Sequence, residues 1–309
     1  MRIAFVYPEM EVLGIEYLSA VLKNNAHETK LFFDPQLFMD TVTRKYFLAN
    51  IFDYSEKLIE SILNYKPQII AFSVMSTHYQ WACALAEKIK NVMEVKIVFG
   101  GIHATSVPEQ LIQKEFVDFV IIGDGEFALL ELIESRFEEE LLPSIRNLVY
   151  KKNGNYISND IRNPLERIDD LPFPDKDLFY DVMPYLQQRY TIITVRGCPY
   201  KCTFCCSHFV DKLYGGKFLR RRSVENVISE LLWARDKYKI KYVFFEDATF
   251  TYDKKWLYEF AQLYSNVIGF PCFCWVHPND IDEESVALLK KMNCRAVEMG
   301  VQSLDKNIR

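Results

Sequence analysis

The chain has 309 residues, half of them hydrophobic, which is enough for two packed domains. Its 37 basic and 42 acidic residues leave a net charge of −5 with both signs mixed, so it lacks the basic footprint of a nucleic-acid binder. No run approaches the roughly 18 apolar residues of a membrane span, and "MRIAFVYPEME" opens as a β-strand and not as a signal peptide. A reducing, cytoplasmic location is expected, where the eight cysteines point to metal binding or catalysis more than to disulfides.

Strand-like and helix-like segments alternate through the first part of the chain. "IAFVY", "TKLFFD", "IIAFSVM", "KIVFGG" and "FVIIGDG" read as buried parallel strands. Helical period runs through "LGIEYLSAVLKNN", where Leu13, Tyr17, Leu18, Val21 and Leu22 share a face. It returns in "YSEKLIESILNY", "HYQWACALAEKIKNV", "PEQLIQKEF" and "EFALLELIESRFEEE". Such alternation implies right-handed βαβ units, so residues 1–145 are expected to form an α/β domain with a doubly wound, flavodoxin-like parallel sheet. Ligands of such sheets sit at the carboxyl ends of the strands, here "PEMEVLG", "SVMSTH", "GGIHAT" and "GDGE".

Residues 146–189 read as a connector. It begins with a hairpin around Asn153-Gly154 and continues as "NPLERIDDLPFPDKDLF", whose prolines suggest an extended linker. From 190 to 309 the alternation resumes with the strand "YTIITVRG". The basic run Arg220-Arg221-Arg222 reads as a solvated or phosphate-contacting loop before the helix "RSVENVISELLWARDKY", with Ser223 as its N-cap. Strand "KYVFFEDATF", helix "DKKWLYEFAQLYSN", strand "FPCFCWVHPN", helix "DEESVALLKKMN" and strand "CRAVEMGVQS" follow. Four strands fall short of an eight-stranded barrel, so the expectation is a partial (β/α) barrel, cut short after its fourth strand.

Chemistry concentrates in "TVRGCPYKCTFCC". Cys198, Cys202 and Cys205 have the spacing C-x3-C-x2-C directly after a strand. Three thiolates on one loop can hold three irons of a 4Fe-4S cube and leave the fourth open to a substrate. A structural zinc site is the other reading, with Cys206 or His208 as fourth ligand. Against zinc, Cys272 and Cys274 stand C-x-C on a strand, a poor second chelating pair. Cys206 reads as a buried spectator thiol.

With Phe204 before the last cysteine, this stretch strongly resembles the radical S-adenosylmethionine (SAM) enzymes. The resemblance implies that Cys198, Cys202 and Cys205 hold the cluster, that Phe204 lies against SAM, and that the open iron chelates SAM. An electron then releases a 5′-deoxyadenosyl radical, which takes a hydrogen from a small-molecule substrate. A flavodoxin or ferredoxin is the implied electron donor. "FFEDATF" resembles the end of the second barrel strand, where an acid receives the SAM ammonium, so Glu246 and Asp247 are candidates. "GVQS" resembles the fourth-strand segment, which makes Gln302 and Ser303 candidates for the SAM ribose. His277, ending the third strand at the same mouth, is a further possible site residue.

A doubly wound domain, a proline-marked linker and a radical SAM barrel together look like the cobalamin-binding (B12) radical SAM subfamily. "LGIEYLSAVLKNNAHE", "GGIHATSVPEQL" and "VDFVIIGDGE" are similar to its segments. The resemblance implies that Ser73, Ser76 and Thr77 contact the nucleotide tail of cobalamin. Gly100 and Gly101 would leave it room, and Gly123, Gly125 and Glu126 would line the remaining edge. Related cobalamin enzymes carry D-x-H-x-x-G after the first strand. Here the stretch runs from Glu9 to Gly14 with Glu11 in place of the histidine, so no histidine ligand to cobalt is expected. The implied activity is methyl transfer to an unactivated carbon, or a ring closure resembling the anaerobic magnesium-porphyrin ester cyclase. Two readings stand beside it: a truncated, non-catalytic cofactor-binding module, and a radical SAM enzyme whose first domain no longer binds cobalamin. A methylthiotransferase is excluded, because that family holds a second cluster on three N-terminal cysteines and this half has only Cys83.

Overall fold

The computed structural model describes residues 1–36 and 53–305. The chain divides into two compact units: Met1–Asn163 with Pro172–Val182, and Pro164–Leu171 with the chain from Met183 onward. Among the described residues no helix is long and apolar enough to cross a membrane.

The first unit is organised by central strands that have no polar side to turn to water, whereas the edge strand β2 (Glu28–Asp34) exposes Glu28 and Lys30. β1 (Arg2–Pro8) is buried from Ile3 to Tyr7 and pairs in parallel with β2 and β3 (Ile69–Ser73). β4 (Lys96–Gly100) and β5 (Phe119–Ile121) extend the sheet in parallel. The order β2-β1-β3-β4-β5 is the flavodoxin-like one, with its switch point between β1 and β3. Strands covered on both faces need apolar residues at every position, which is why their sequences are continuous apolar runs.

Among the described residues, six helices pack against this sheet's strands or connect them: α1 (Leu13–Asn24), α2 (Ser55–Tyr65), α3 (Tyr79–Val92), α4 (Gly101–Ser106), α5 (Pro108–Ile112) and α6 (Glu126–Glu134). α1 buries Leu13, Tyr17, Val21 and Leu22, as its period requires. Two helices are shorter than their sequence pattern. "PEQLIQKEF" is helical only through Ile112, and α6 stops at Glu134 because Arg136 and Phe137 take left-handed backbone angles (φ 51° and 66°).

β6 (Leu148–Lys152) and β7 (Asn155–Ser158) form a hairpin whose turn residues Asn153 and Gly154 both have positive φ, 51° and 78°. β6 also pairs antiparallel with β5, so the hairpin extends the first sheet to seven strands. Part of the proline-marked stretch also belongs to this unit. Ahead of α7 (Asp177–Tyr180), Lys176 is fully buried with its Nζ 2.9 Å from Glu11 Oε1 and 2.8 Å from Glu16 Oε2. Asp175 accepts from Ser19 Oγ at 2.5 Å and pairs with Lys23 at 2.7 Å. Burial pushes the Glu16 carboxyl well above the usual carboxylate range, against the pull of Lys176. Burial also opposes the Lys176 charge, but the neighbouring Glu11 and the hydrogen bond with Glu16 outweigh it and hold the ammonium above the usual lysine range.

The second unit carries a parallel sheet of β8 (Arg189–Ile192), β11 (Tyr242–Phe245), β12 (Cys272–Val276) and β13 (Cys294–Met299), in the order β13-β12-β11-β8. β9 (Val195–Arg196) and β10 (Arg220–Arg221) make a small antiparallel pair. The helices described in this unit are α8 (Cys206–Leu213), α9 (Val224–Lys237), α10 (Lys254–Val267) and α11 (Glu283–Lys291). Ser223 caps α9, its side chain accepting the Asn226 N–H at 3.1 Å. Asp282 and Ser285 form a reciprocal capping box on α11. One face of the sheet is sealed, with Phe245 packed on Phe260 and Tyr264 of α10. The other face carries Tyr242, Phe244, Phe273 and Trp275 and remains partly open.

Candidate active site

The cysteine loop begins at a bend that only glycine suits. Gly197 has φ +94°, and a Cβ there would come within 3.0 Å of Leu219 Cα and Phe218 O. Beyond it, Cys198 and Cys202 are half-buried, Cys205 is exposed, and the Phe204 ring is 70% exposed. All eight cysteines are free thiols. Cys205 is the N-cap of α8, and its N–H donates to Cys202 O at 3.1 Å, so its sulfur sits at the positive end of a helix dipole. Burial pushes the Cys198 thiol up, its neighbours Cys205 and Cys202 add to the rise, and the Tyr200 backbone N–H works against it. Among the described residues no three His, Cys, Asp or Glu side chains gather as a single metal ion requires. Three spaced thiols on one loop suit a cube, whose irons each take a separate cysteine. Cys206 is not the buried spectator its sequence suggests: it opens α8 and is exposed.

The arginine run behind this loop is neither solvated nor open to phosphate. Arg220 Nη1 donates to Leu165 O at 3.0 Å. Arg221 lies 4.1 Å over the Trp256 ring and 4.5 Å over Tyr252, and donates to Phe250 O at 2.8 Å. Arg222 meets Glu230 at 2.5 Å and donates to Ile193 O at 3.1 Å. Backbone carbonyls and aromatic faces thus take up charges that composition alone would send to solvent, and β10 holds β9 just ahead of Cys198.

Glu246 and Asp247 part company at the end of β11. Asp247 is fully buried, with Oδ1 accepting the Thr194 N–H at 2.6 Å and the Val195 N–H at 3.1 Å, while Oδ2 accepts Thr194 Oγ1 at 2.5 Å. Burial raises its carboxyl; Arg221 and the Thr194 hydrogen bonds oppose that rise. Glu246, one residue back, is half-buried and alternates to the face of Phe244 and Trp275, whose rings meet edge-on at 5.7 Å.

His277 is brought to the cysteine loop. Its ring stacks on Tyr200 with 3.6 Å between centroids, and the Tyr200 hydroxyl donates to Asp280. Asp280 also accepts from Thr249 Oγ1 at 2.7 Å, and Thr249 Oγ1 accepts the His277 N–H at 3.2 Å. Tyr200, Thr249 and Asp280 escape the sequence reading. Tyr200 is visible in "GCPYKC", but its partner lies 80 residues on. Past β13, Gln302 is exposed with φ 65° and Ser303 is half-buried.

In the first unit the candidates gather at the strand ends. Ser73 pairs in register with Gly100. A Cβ on Gly101 (φ +89°) would stand 2.8 Å from Val74 N, so the ends of β3 and β4 touch through backbone. Ser76 and Thr77 are exposed, and Ser76 Oγ lies 2.9 Å from His103 Nδ1. Gly123 donates its N–H to Thr105 Oγ1 at 2.9 Å, and Gly125 precedes Glu126, the buried first residue of α6. Gly14 is exposed in the first turn of α1, whereas Glu11 is engaged with Lys176. His103, inside "GGIHAT", and His78, 3.1 Å from Glu9, join this group without having been singled out by pattern.

Residues 2–133 match the model of the B12 binding domain, and residues 192–309 match that of the Radical SAM superfamily. The chain belongs to the B12-binding radical SAM family. This family member is 28% identical over 305 residues to the uncharacterized methyltransferase PH0819 of Pyrococcus horikoshii, covering 96% of this chain and 61% of that protein. It is 24% identical over 353 residues to the cytidylyl-2-hydroxyethylphosphonate methyltransferase of Streptomyces wedmorensis, covering 96% and 62%. The chain thus spans about three fifths of the length of these curated relatives. Its fold matches the radical S-adenosylmethionine methyltransferase TsrM from Kitasatospora setae, solved with cobalamin and a 4Fe-4S cluster bound. The TM-score is 0.74 at 15% identity, over 99% of this chain and 59% of that one.

Proposed function

We propose that this chain is a cobalamin-dependent radical SAM methyltransferase acting on a small-molecule substrate. The observation that carries the reading is the triplet Cys198, Cys202 and Cys205, three free thiols on one loop at the carboxyl end of β8. When bound, the 4Fe-4S cluster and SAM supply an adenosyl radical, and cobalamin supplies a transferable methyl group. The three cysteines would hold the cluster, and the exposed ring of Phe204 offers SAM an apolar wall. Glu246, on the open face of the sheet, takes the SAM ammonium; Asp247 instead holds Thr194 and Val195 in place. Gln302 and Ser303 serve the ribose.

In the first unit Ser73, Ser76 and Thr77 receive the nucleotide tail. Gly100, Gly101, Gly123 and Gly125 keep the backbone low beside it, with Gly14 and Glu126 at the border. Glu11 acts at one remove, setting the loop after β1 through Lys176. An exposed loop of free thiols suits a reducing cytoplasm and a one-electron donor of the flavodoxin or ferredoxin kind.

Anaerobic reconstitution with iron, sulfide and hydroxocobalamin tests the reading. The expected result is about four irons and one cobalt per chain, with a cluster signal that changes on adding SAM. Cys202→Ala should lose the iron and keep the cobalt. Zinc without iron would overturn the proposal.

A further inference from the structure

We infer that Tyr200 is a positioning residue for the cluster loop, fixing from within the C-x3-C turn how Cys198 presents its sulfur. The inference rests on the reading that the triplet holds a cluster. Tyr200 is gripped at three points. Its ring lies nearly parallel to His277, 15° between planes. Its hydroxyl donates to Asp280. Its backbone N–H hydrogen-bonds to the Cys198 sulfur.

The first two grips belong to one closed circuit. Asp280 holds both the Tyr200 hydroxyl and Thr249 Oγ1, and Thr249 Oγ1 accepts the N–H of the same His277 that supports the ring. Three loops at the carboxyl ends of β8, β11 and β12 are thereby locked together. The third grip passes that rigidity to a ligand atom, since an N–H donated to a cluster thiolate stabilises the more negative state and sets the potential. A tyrosine serving only the core would be buried among apolar side chains. This one is half-buried, with a carboxylate, an imidazole and a thiol as its partners.

The test compares the full chain with Tyr200→Phe, Tyr200→Leu and Asp280→Asn after anaerobic reconstitution. The readouts are the electron paramagnetic resonance (EPR) spectrum of the reduced cluster, with and without SAM, and iron release to a chelator. All three variants are expected to take up iron. Tyr200→Phe and Asp280→Asn should then release it about tenfold faster than the parent, the size of effect seen when partners of metal ligands are removed. Their g values should shift, and Tyr200→Leu, which also loses the stack, should depart further. Should Tyr200→Leu not fold, the two near-isosteric variants decide alone. Variant spectra and release rates coinciding with those of a normally loaded parent would overturn this inference and leave the triplet reading intact. A parent that takes up no iron would overturn both.

Discussion

Glu246 and Asp247 are chemically alike and adjacent, yet strand alternation sends them to opposite faces and hence to different work. Asp247 satisfies two backbone N–H groups and faces the charge of the half-buried Arg221. Removing it in Asp247→Ala leaves those donors without an acceptor and the Arg221 charge without its nearby counter-charge, which should cost about 3–5 kcal/mol in urea unfolding of the second unit. Glu246→Gln, on the open face, should cost less in unfolding than Asp247→Ala but abolish the SAM-dependent change in the cluster's EPR spectrum. The reverse ranking of the two variants would interchange their roles. A pair of acids at a strand end reads the same in sequence whichever residue does which job, because only the register of β11 with β8 fixes the faces.

Most elements were legible because their physics is local. β1, β3 and β4 are apolar runs, the α9 and α11 caps are short-range hydrogen bonds, and the turn of the β6–β7 hairpin is announced by Asn-Gly. What was not legible depends on distant partners. That β6 pairs with β5 cannot be read from either strand. The burial of Arg220–Arg222 needs carbonyls and rings up to 55 residues away. Two glycines separate local from tertiary cost. Gly154 (φ +78°) has nothing within 4 Å of a Cβ, so Gly154→Ala should cost only the left-handed backbone penalty, about 1 kcal/mol. Gly101→Ala adds a collision with Val74 to a similar penalty and should cost about 2–3 kcal/mol in urea unfolding of the first unit. Equal losses would mean that the ends of β3 and β4 yield more readily than their contacts suggest.

At the scale of the whole molecule, a long-range tie of the first unit is Lys176, 165 residues from Glu11. It makes stability answer to pH. Burial keeps a proton on Glu16 in the folded state at pH values where the unfolded chain has already lost it. The folded state then binds more protons, so this group's contribution is full below the ordinary glutamate range, about 4.3, and declines as pH rises above it. Glu16→Gln should remove that decline, seen as a shallower fall in urea midpoint between acid and neutral pH; parallel curves would show that Glu16 is ionised when folded. The thiols span the full range of exposure. Cys205 and Cys206 are open to solvent, whereas Cys272 and Cys274 lie sealed, their thiols pushed far up by hydrogen bonding with Cys294 and by burial. An alkylating reagent therefore meets two extremes on one chain, with Cys83, Cys198, Cys202 and Cys294 between them. Label at the loop reports whether the triplet is occupied, and label on β12 reports whether the sheet has come apart, so one reagent distinguishes an empty protein from an unfolded one.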